Sequence, residues 1–507
     1  MEALKSHEHL YLLLESDEAP MHASTLLLYE GGAATAPDIE AISAFMAARV
    51  SRARVLRRRL AALPLAVARP CWIDDPAVDI AAHVTAVTLP APGGWRELCA
   101  EVARRHARPL DPERPLWEAC VIDGLDRQPG VGTGAFAILL KTHCATHGET
   151  LSAQLFAALH ELAPDSRASP PKIVPRYDRR ATWAGLASRS TIDAVQRPLR
   201  VYRDAVLHWR PWLAYGAAQV SEWAQRIARR GGAGEHRAPA TRFNGRIGSP
   251  RVVGGVSYAR SDIERIRDRV AGATIDDVGI AIVGAAMARY LAAQGSPPVG
   301  PLVAEAPLAH HAGAPRFGSG SFADSALLSL QTQAAEPLAQ LRAIVAERHR
   351  RLGSERAISA RTLLLDAMEL VPAVALRAAG KAAHRLRLGS LVAPVANTTI
   401  TAIHAPGVPL YFAGAKLAGC FGFPPVHDLA GIAHSISSGH RTITVGFAGC
   451  ATMLPEPVLY ERCLCDAYTA LAAARSTGTT CRAVPRVRRA HQRTGRRLER
   501  PRMQRIV

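Results

Sequence analysis

No stretch of the chain holds the roughly 18 to 20 uninterrupted apolar residues that a membrane-spanning helix requires. The most apolar run, Val278–Ala288, ends at Arg289. The first residues also lack the basic segment, apolar core and small-residue cleavage site of a secretory signal. The sequence therefore predicts a cytoplasmic protein without a membrane-spanning helix.

A pattern of paired cysteines is also missing. The nine cysteines are scattered along 507 residues, and an odd number in a chain without a secretory signal favours reduced thiols over disulfides. Cys463 and Cys465 have no matching second pair, so the spacing does not indicate a zinc site there.

Acidic residues are too few to balance the basic ones, and the formal net charge is +19. About half of the excess lies in the segment from Arg482 to the end, where ten arginines accompany a single acid, Glu499. No nucleic-acid-binding motif goes with this charge, so we predict no nucleic-acid partner. We expect residues 476–507 to form a disordered basic tail, which either adheres to anionic lipid or has no selected role.

Strand-like and helical patterns alternate along both halves of the chain. The patterns predict strands at Ser24–Tyr29, Ala135–Lys141 and Pro409–Leu417, and helices at Ile39–Leu63 and Ile275–Ala293. This alternation predicts an α/β or α+β fold.

The length is too great for one compact core and predicts two domains. We place an N-terminal domain at residues 1–180, a helical connection at 181–242 and a C-terminal domain at 243–475. The connection includes an amphipathic stretch at 201–230 with three tryptophans among basic residues. This composition is typical of a helix that lies on a membrane surface, although the tryptophans would also suit packing between the domains.

Several segments resemble the bacterial wax ester synthase/diacylglycerol acyltransferase family. Glu15–Glu30 is similar to the family's N-terminal strand signature. Arg108–Leu125 matches the family's Pro-Leu-Trp segment through Pro115, Leu116 and Trp117. These segments occur in the family's order and at compatible spacings.

The second half of the chain continues the resemblance. Ala273–Leu291 is similar to the family's Asn-Asp helix, with the acid kept as Asp277 but with Asp276 where Asn is usual. Pro406–Leu417 is similar to another family segment. Together the similar segments cover roughly residues 1–475.

The resemblance implies a two-domain fold like that of chloramphenicol acetyltransferase and other CoA-dependent acyltransferases, with the active site in a tunnel between the domains. It implies transfer of a long-chain acyl group from acyl-CoA, the co-substrate, to diacylglycerol or a fatty alcohol, with no other cofactor. Because such acceptors reside in lipid, we expect peripheral association with the inner membrane or with lipid droplets. Pro115, Leu116, Trp117, Asp277 and His404 are expected to shape or support the tunnel.

The catalytic motif of the family is altered in this chain. Family members carry His-His-x-x-x-Asp-Gly, in which the second His takes the proton of the acceptor hydroxyl, a task that suits a side chain with a pKa near 6.5. Here His143 holds the first position, Cys144 holds the catalytic one, and Gly148 and Glu149 replace the Asp and the Gly.

Three interpretations of this segment are open. The reaction has been lost with its base, leaving a paralogue that binds acyl-CoA or lipid without turnover. Alternatively the site has been rebuilt, with His147 as base or with Cys144 as a thiol that accepts the acyl group. In the third interpretation His143, Cys144, His147 and Glu149 bind a metal ion.

Two other features bear on the activity. The family's Ser-Asn-Val-Pro-Gly-Pro turn is replaced by Thr401–Pro406, whose loss of Gly and of one Pro predicts a different shape. His404 is new in this segment and is a further candidate base. A second histidine pair, His310 and His311, is followed by no Asp-Gly at the required distance and is interpreted as two loop histidines.

Overall fold

The structure is a computed structural model. It describes, apart from a few isolated positions, residues 2–31, 39–50, 53–61, 70–75, 78–125, 134–146, 151–164, 238–307, 325–354 and 394–474. Residues Met1–Ala474 form one compact unit. Most of the predicted connection at 181–242 and all of the basic tail lie outside the described residues, so the domain boundaries stay predictions.

Eight helices are described, together with three short 3₁₀ turns. The helices are α1 (Ser6–Leu14), α2 (Ile39–Val50), α3 (Trp95–His106), α4 (Leu151–Leu159), α5 (Arg260–Arg267), α6 (Ile275–Ala293), α7 (Pro337–Ser354) and α8 (Pro457–Ala473). The 3₁₀ turns are Arg54–Leu56, Ile80–Ala82 and Cys144–Thr146. No helix of the described part is long and apolar enough to cross a membrane.

Fifteen strands are described, in two six-stranded sheets and one small sheet. They are β1 (Glu2–Ala3), β2 (His22–Tyr29), β3 (Arg58–Ala61), β4 (Cys71–Asp74), β5 (Val84–Thr88), β6 (Trp117–Asp123), β7 (Phe136–His143), β8 (Arg251–Ala259), β9 (Val303–Pro307), β10 (Ser325–Ser329), β11 (Thr398–His404), β12 (Tyr411–Phe412), β13 (Ala415–Phe423), β14 (Ile432–Ser438) and β15 (Thr442–Cys450). The small sheet has the order β1-β4-β3. Alternating helices and strands confirm the predicted mixed α/β fold class.

The first large sheet has the order β12-β13-β2-β7-β6-β5. Its central strand β7 is buried along all eight residues, as expected for a strand covered on both faces. β2 runs antiparallel to β7 with His22 opposite His143. Strands β12 and β13 come from the second half of the chain, and β13 pairs with β2. The two halves therefore share this sheet.

The second large sheet has the order β10-β9-β11-β14-β15-β8, and β11 is parallel to both of its neighbours β9 and β14. Helix α6 lies on one face, where a Cβ added at Gly279 would come within 2.6 Å of the Ile436 side chain. On the opposite face the Ser435 hydroxyl bonds the backbone of Gly422 in β13. This face therefore packs on the first sheet.

Two sequence predictions need correction. The helix predicted at Ile39–Leu63 ends at Val50, and the chain continues into a 3₁₀ turn and strand β3. The strand predicted at Pro409–Leu417 is a hairpin, β12 and β13. The segment Thr401–Pro406, which aligns with a turn of the family, begins with the last four residues of strand β11; its difference in shape from the family's turn stays a prediction. The eight described cysteines are all free thiols.

Candidate functional site

The altered catalytic pair lies where β7 ends. His143 is the last residue of the strand, and Cys144 begins a 3₁₀ turn. The His143 backbone N–H donates to the carbonyl of Leu116 at 3.1 Å, and the Cys144 N–H donates to the carbonyl of Met21 at 2.8 Å. The two neighbouring segments thus fix the backbone at this position. His147 lies outside the described residues, so its role as a base stays a hypothesis.

The Pro-Leu-Trp segment supports this turn from the side. Pro115, Leu116 and Trp117 are all buried. The Trp117 indole N–H donates to the Leu56 carbonyl at 2.9 Å, and its ring stacks on His83 at 4.5 Å. Because Leu116 accepts the His143 N–H, this packing holds the end of β7 in place. The segment therefore has a structural role here.

The His143 imidazole has one nitrogen in a hydrogen bond and the other close to a carboxylate. Nδ1 accepts the Ala145 backbone N–H at 3.0 Å, and Nε2 lies 3.3 Å from a carboxylate oxygen of Glu15. Because a backbone N–H only donates, the ring proton belongs on Nε2, facing Glu15. The lone pair that a general base needs is already occupied. In this arrangement His143 stabilises the turn and offers no base to a substrate.

The Cys144 thiol is buried as well. Burial raises the pKa of this thiol, and the nearby negative charge of Glu15 raises it further. The thiol is the protonated form at neutral pH, whereas the nucleophile in thiol chemistry is the thiolate. The environment thus disfavours Cys144 as an acyl carrier. The metal interpretation includes His147 and Glu149, which lie outside the described residues.

A buried histidine cluster borders the pair, and the sequence reasoning missed it. His22 is fully buried opposite His143, and its Nε2–H donates to the His106 carbonyl at 2.6 Å. The Ser24 hydroxyl bonds His106 Nδ1 at 2.8 Å. Burial lowers the pKa of His22 and brings that of His106 to about 3, so both are neutral. The alternation of His22 and Ser24 in a strand-like segment was the signal that both face one side.

Asp277 is part of the helix start rather than an open site. Its carboxylate accepts the backbone N–H of Thr274 at 2.7 Å and the Thr274 hydroxyl at 2.8 Å, which makes a capping box. The other oxygen lies 2.9 Å from Nε of Arg348, and both side chains are buried. Arg348 also donates to the Gly272 carbonyl. These contacts assign Asp277 to the support of α6.

Two of the departures from the family pattern meet in space. His404, at the end of β11, has Nε2 3.5 Å from an Asp276 carboxylate oxygen at the start of α6. Its Nδ1 lies 3.1 Å from the hydroxyl of Ser438, its partner in the register of β11 with β14. The His404 side chain is 32% exposed and that of Asp276 is 11% exposed. Ser438 was not singled out from the sequence.

The described site residues therefore fall into two groups. One is His143 and Cys144 in the first sheet, and the other is Asp276, His404 and Ser438 in the second. No cluster of three or more potential metal ligands is found within the described ranges. The pair His310–His311 and the tryptophans of 201–230 lie outside those ranges, so their interpretations stay predictions.

A shallow open crevice lies where the two large sheets meet. Glu30 and Lys416 line it from the first sheet, and Ser437 and Arg441 line it from the second. Glu30 follows the end of β2 that is remote from His22. Neither His143 nor Cys144 lines this crevice. The tunnel to His143 therefore stays a prediction.

Comparison with known families gives two matches. Residues 4–279 match the wax ester synthase/diacylglycerol acyltransferase catalytic domain. Residues 320–472 match the C-terminal domain of the same family. The two matched segments contain both groups of candidate residues.

Curated relatives and solved structures are similar along most of their length. A putative diacylglycerol O-acyltransferase of Mycobacterium tuberculosis is 28% identical over 467 residues, covering 90% of this chain and 87% of the relative. A wax ester synthase/diacylglycerol acyltransferase from Marinobacter aquaeolei VT8 has a TM-score of 0.62 at 23% identity, covering 93% of this chain and 98% of that one. The first condensation domain of the calcium-dependent antibiotic synthetase has a TM-score of 0.54 at 16% identity, with coverages of 93% and 96%. These two structures show the fold.

Proposed function

Because the chain belongs to the wax ester synthase/diacylglycerol acyltransferase family, we propose that it transfers a long-chain acyl group from acyl-CoA to diacylglycerol or a fatty alcohol. The observation that carries the proposal is the family match in both halves, over residues 4–279 and 320–472. The relative from Mycobacterium tuberculosis, named as a diacylglycerol O-acyltransferase, aligns over 90% of the chain. The chain therefore matches both domains of such an enzyme.

The reaction joins the acceptor oxygen to the thioester carbonyl and releases CoA as its thiol. An alcohol needs a base to remove its proton during this attack. Neither His143 nor Cys144 provides one in the observed geometry, since the first has its lone pair occupied and the second is a protonated thiol. The proposed activity thus depends on a base elsewhere in the chain.

The chemistry of the proposed substrates supports a further proposal, that the protein acts at a lipid surface. Diacylglycerol and long-chain alcohols are concentrated in membranes and droplets, and the net charge of +19 favours anionic lipid. We therefore expect the purified chain to float with vesicles that contain phosphatidylglycerol and not with vesicles of phosphatidylcholine alone. Equal recovery in the bottom fraction with both vesicle types would contradict this part of the proposal.

A second candidate function is a protein that binds acyl-CoA without turnover. It is favoured by one observation, the replacement of the catalytic His by the buried thiol of Cys144. Such a protein would use the same scaffold to hold the acyl chain and CoA.

One experiment separates the two functions. Purified full-length chain is incubated with radiolabelled palmitoyl-CoA and either dioleoylglycerol or hexadecanol, and the lipid products are separated by thin-layer chromatography. In parallel, palmitoyl-CoA binding is measured by calorimetry. We expect labelled triacylglycerol or wax ester. Saturable binding without any labelled product would refute the transferase and favour the binding protein.

The variant Cys144→Ala belongs in the same assay. We expect it to form product at the rate of the unmodified chain, because the protonated thiol is neither base nor nucleophile. Loss of product with an unchanged circular dichroism spectrum would restore the acyl-cysteine route.

A further inference from the structure

We propose that Ser438, His404 and Asp276 form an acyl-transfer centre in which Ser438 accepts the acyl group from CoA and passes it to the acceptor. The inference rests on the proposed function and supplies the base and the nucleophile that the altered motif lacks. It assigns catalytic roles to Ser438 and His404 and a positioning role to Asp276.

The order of contacts is that of a nucleophile, a base and a group that orients the base. The Ser438 hydroxyl lies 3.1 Å from His404 Nδ1, and His404 Nε2 lies 3.5 Å from the Asp276 carboxylate. Distances of this kind lengthen when no substrate is bound. In serine proteases Nε2 of the histidine faces the serine and Nδ1 faces the aspartate. Here the two nitrogens are exchanged, and the proton still passes directly from the serine hydroxyl to the imidazole ring.

The chemistry of the partners fixes the tautomer of His404. An ionised carboxylate only accepts hydrogen bonds, so the nitrogen that faces Asp276, Nε2, carries the ring proton. Nδ1 then has a free lone pair that accepts the hydroxyl proton of Ser438. His143 differs in this respect because a backbone N–H occupies its Nδ1. Of the two candidate histidines that the structure describes, His143 and His404, it is His404 whose lone pair faces a hydroxyl.

The fold brings the three residues together at the C-terminal ends of the two central strands of the second sheet. His404 and Ser438 end the parallel strands β11 and β14 and are opposite each other in the register. Asp276 lies in the first turn of the 19-residue helix α6. Ligands of parallel α/β sheets bind beyond the carboxyl ends of the strands. His404 is one-third exposed there, which leaves its ring open to a substrate.

The departures from the family pattern support a joint role. Asp276 stands where the family helix has Asn, and His404 stands in the segment that replaces the family's Pro-Gly turn. The two positions are far apart in the sequence, yet their side chains contact each other. An Asn at position 276 would leave His404 beside a neutral amide, whereas the carboxylate stabilises the imidazolium formed during catalysis.

The reaction balances in two steps. In the first, Ser438 Oγ attacks the thioester carbonyl while His404 Nδ1 takes the hydroxyl proton; the C–S bond breaks, and His404 returns the proton to the departing sulfur, giving acyl-Ser438 and CoA thiol. In the second, the hydroxyl of diacylglycerol or of an alcohol gives its proton to His404 and attacks the acyl-serine ester. Ser438 leaves with that proton, and the product ester and the free enzyme result.

The test looks for the intermediate separately from the product. Full-length chain is incubated with radiolabelled palmitoyl-CoA without acceptor, digested, and examined by mass spectrometry for palmitoyl on the Ser438 peptide. Separate samples of the intact chain, without palmitoyl-CoA, are treated with a fluorophosphonate that labels activated serines. Ser438→Ala is the test variant, and Ser257→Ala, an exposed serine of β8 in the same sheet, is the matched control.

We expect palmitoyl and fluorophosphonate on Ser438 in the unmodified chain and in Ser257→Ala, and on no serine in Ser438→Ala. His404→Ala is expected to reduce the labelling rate about 10² to 10⁴-fold, the usual contribution of a general base. Asp276→Asn is expected to lower kcat with KM unchanged, and Asp276→Glu is expected to recover part of the loss. A pure packing role of Asp276 would change neither the labelling rate nor kcat in a folded protein.

The outcomes distinguish this inference from the proposed function. If Ser438→Ala still forms product and the unmodified chain carries no label on Ser438, the inference is overturned and the proposed transferase function is unaffected. Label on Ser438 without product from either acceptor supports the centre and overturns the acceptor assignment. Neither label nor product, in a chain with an intact circular dichroism spectrum, overturns both.

Discussion

Replacing Asp277 by Ala should destabilise the protein severely, because this residue takes part both in the cap of α6 and in a buried ion pair. Its carboxylate caps α6 through Thr274 and forms an ion pair with Arg348, whose side chain is 6% exposed. Breaking a buried ion pair by removing one partner costs about 3 to 5 kcal/mol, since the other charge stays uncompensated. Loss of a helix cap alone costs about 1 kcal/mol.

The free energy of unfolding of Asp277→Ala is therefore expected to fall by about 3 to 5 kcal/mol, and that of Thr274→Ala by about 1 kcal/mol. Urea titration followed by circular dichroism measures both. The double variant Asp277→Asn with Arg348→Met removes both charges and should recover most of the loss. A urea midpoint of Asp277→Ala equal to that of the unmodified chain would refute the assignment of this residue to the support of the helix.

Three further predictions concern the thiol, acid stability and packing of the sheets. Iodoacetamide at pH 8 should modify the exposed Cys465 and leave Cys144 unmodified, because burial raises the pKa of the Cys144 thiol; peptide mapping after a short reaction checks this. Burial brings the pKa of His434 to about 3, so this histidine is protonated in the unfolded chain at a higher pH than in the folded one. It should lower the free energy of unfolding by about 1.4 kcal/mol for each pH unit below about 6.5, and the buried His22 and His106 should make the fall steeper. Stability to urea that stays constant between pH 6.5 and 5 would contradict this. Gly446→Ala would place a Cβ 2.5 Å from a carbonyl oxygen of the first sheet and should cost about 1 to 3 kcal/mol, whereas Gly300→Ala, with no atom within 4 Å, should leave the urea midpoint unchanged.

The elements that the sequence predicted well are those with strong local signals. Helix α6 has the predicted bounds Ile275–Ala293, because a capping box marks its start and an apolar run follows from Val278 to Ala288. The prediction for Ile39–Leu63 was wrong beyond Val50, since Arg58–Ala61 forms a strand only by pairing with β4. Helical periodicity reflects only the spacing of apolar residues along the local sequence. It cannot predict that a segment will pair with a strand elsewhere in the chain.

The hairpin of β12 and β13 was missed for a related reason. Ala413 and Gly414 both have positive φ, at 48° and 85°, and reverse the chain between the two strands. Gly adopts this conformation readily, but Ala does so rarely, and the pair Ala-Gly is therefore a weak turn signal. An apolar run across the turn was read as one strand instead.

The candidate site was predictable only in part. The family motif located His143 and Cys144 correctly at the end of a strand, because the pattern before them is locally clear. The contact of His404 with Asp276 and Ser438 depends on the parallel pairing of β11 with β14 and on the position of α6 above them. A single sequence contains no signal for either arrangement.

Strand β13 comes from the second half of the chain but pairs with β2 in the first sheet. This pairing has a consequence for the synthesis of the protein. During synthesis the N-terminal strands leave the ribosome first, and the edge of β2 stays unpaired until β13 follows. At the usual rate of about 5 to 20 residues per second, that delay is roughly a quarter of a minute to a minute. An open strand edge is a template for wrong pairing. Nascent chains that stall between β7 and β13 should therefore aggregate or recruit chaperones, and an N-terminal half expressed alone should be recovered as insoluble protein.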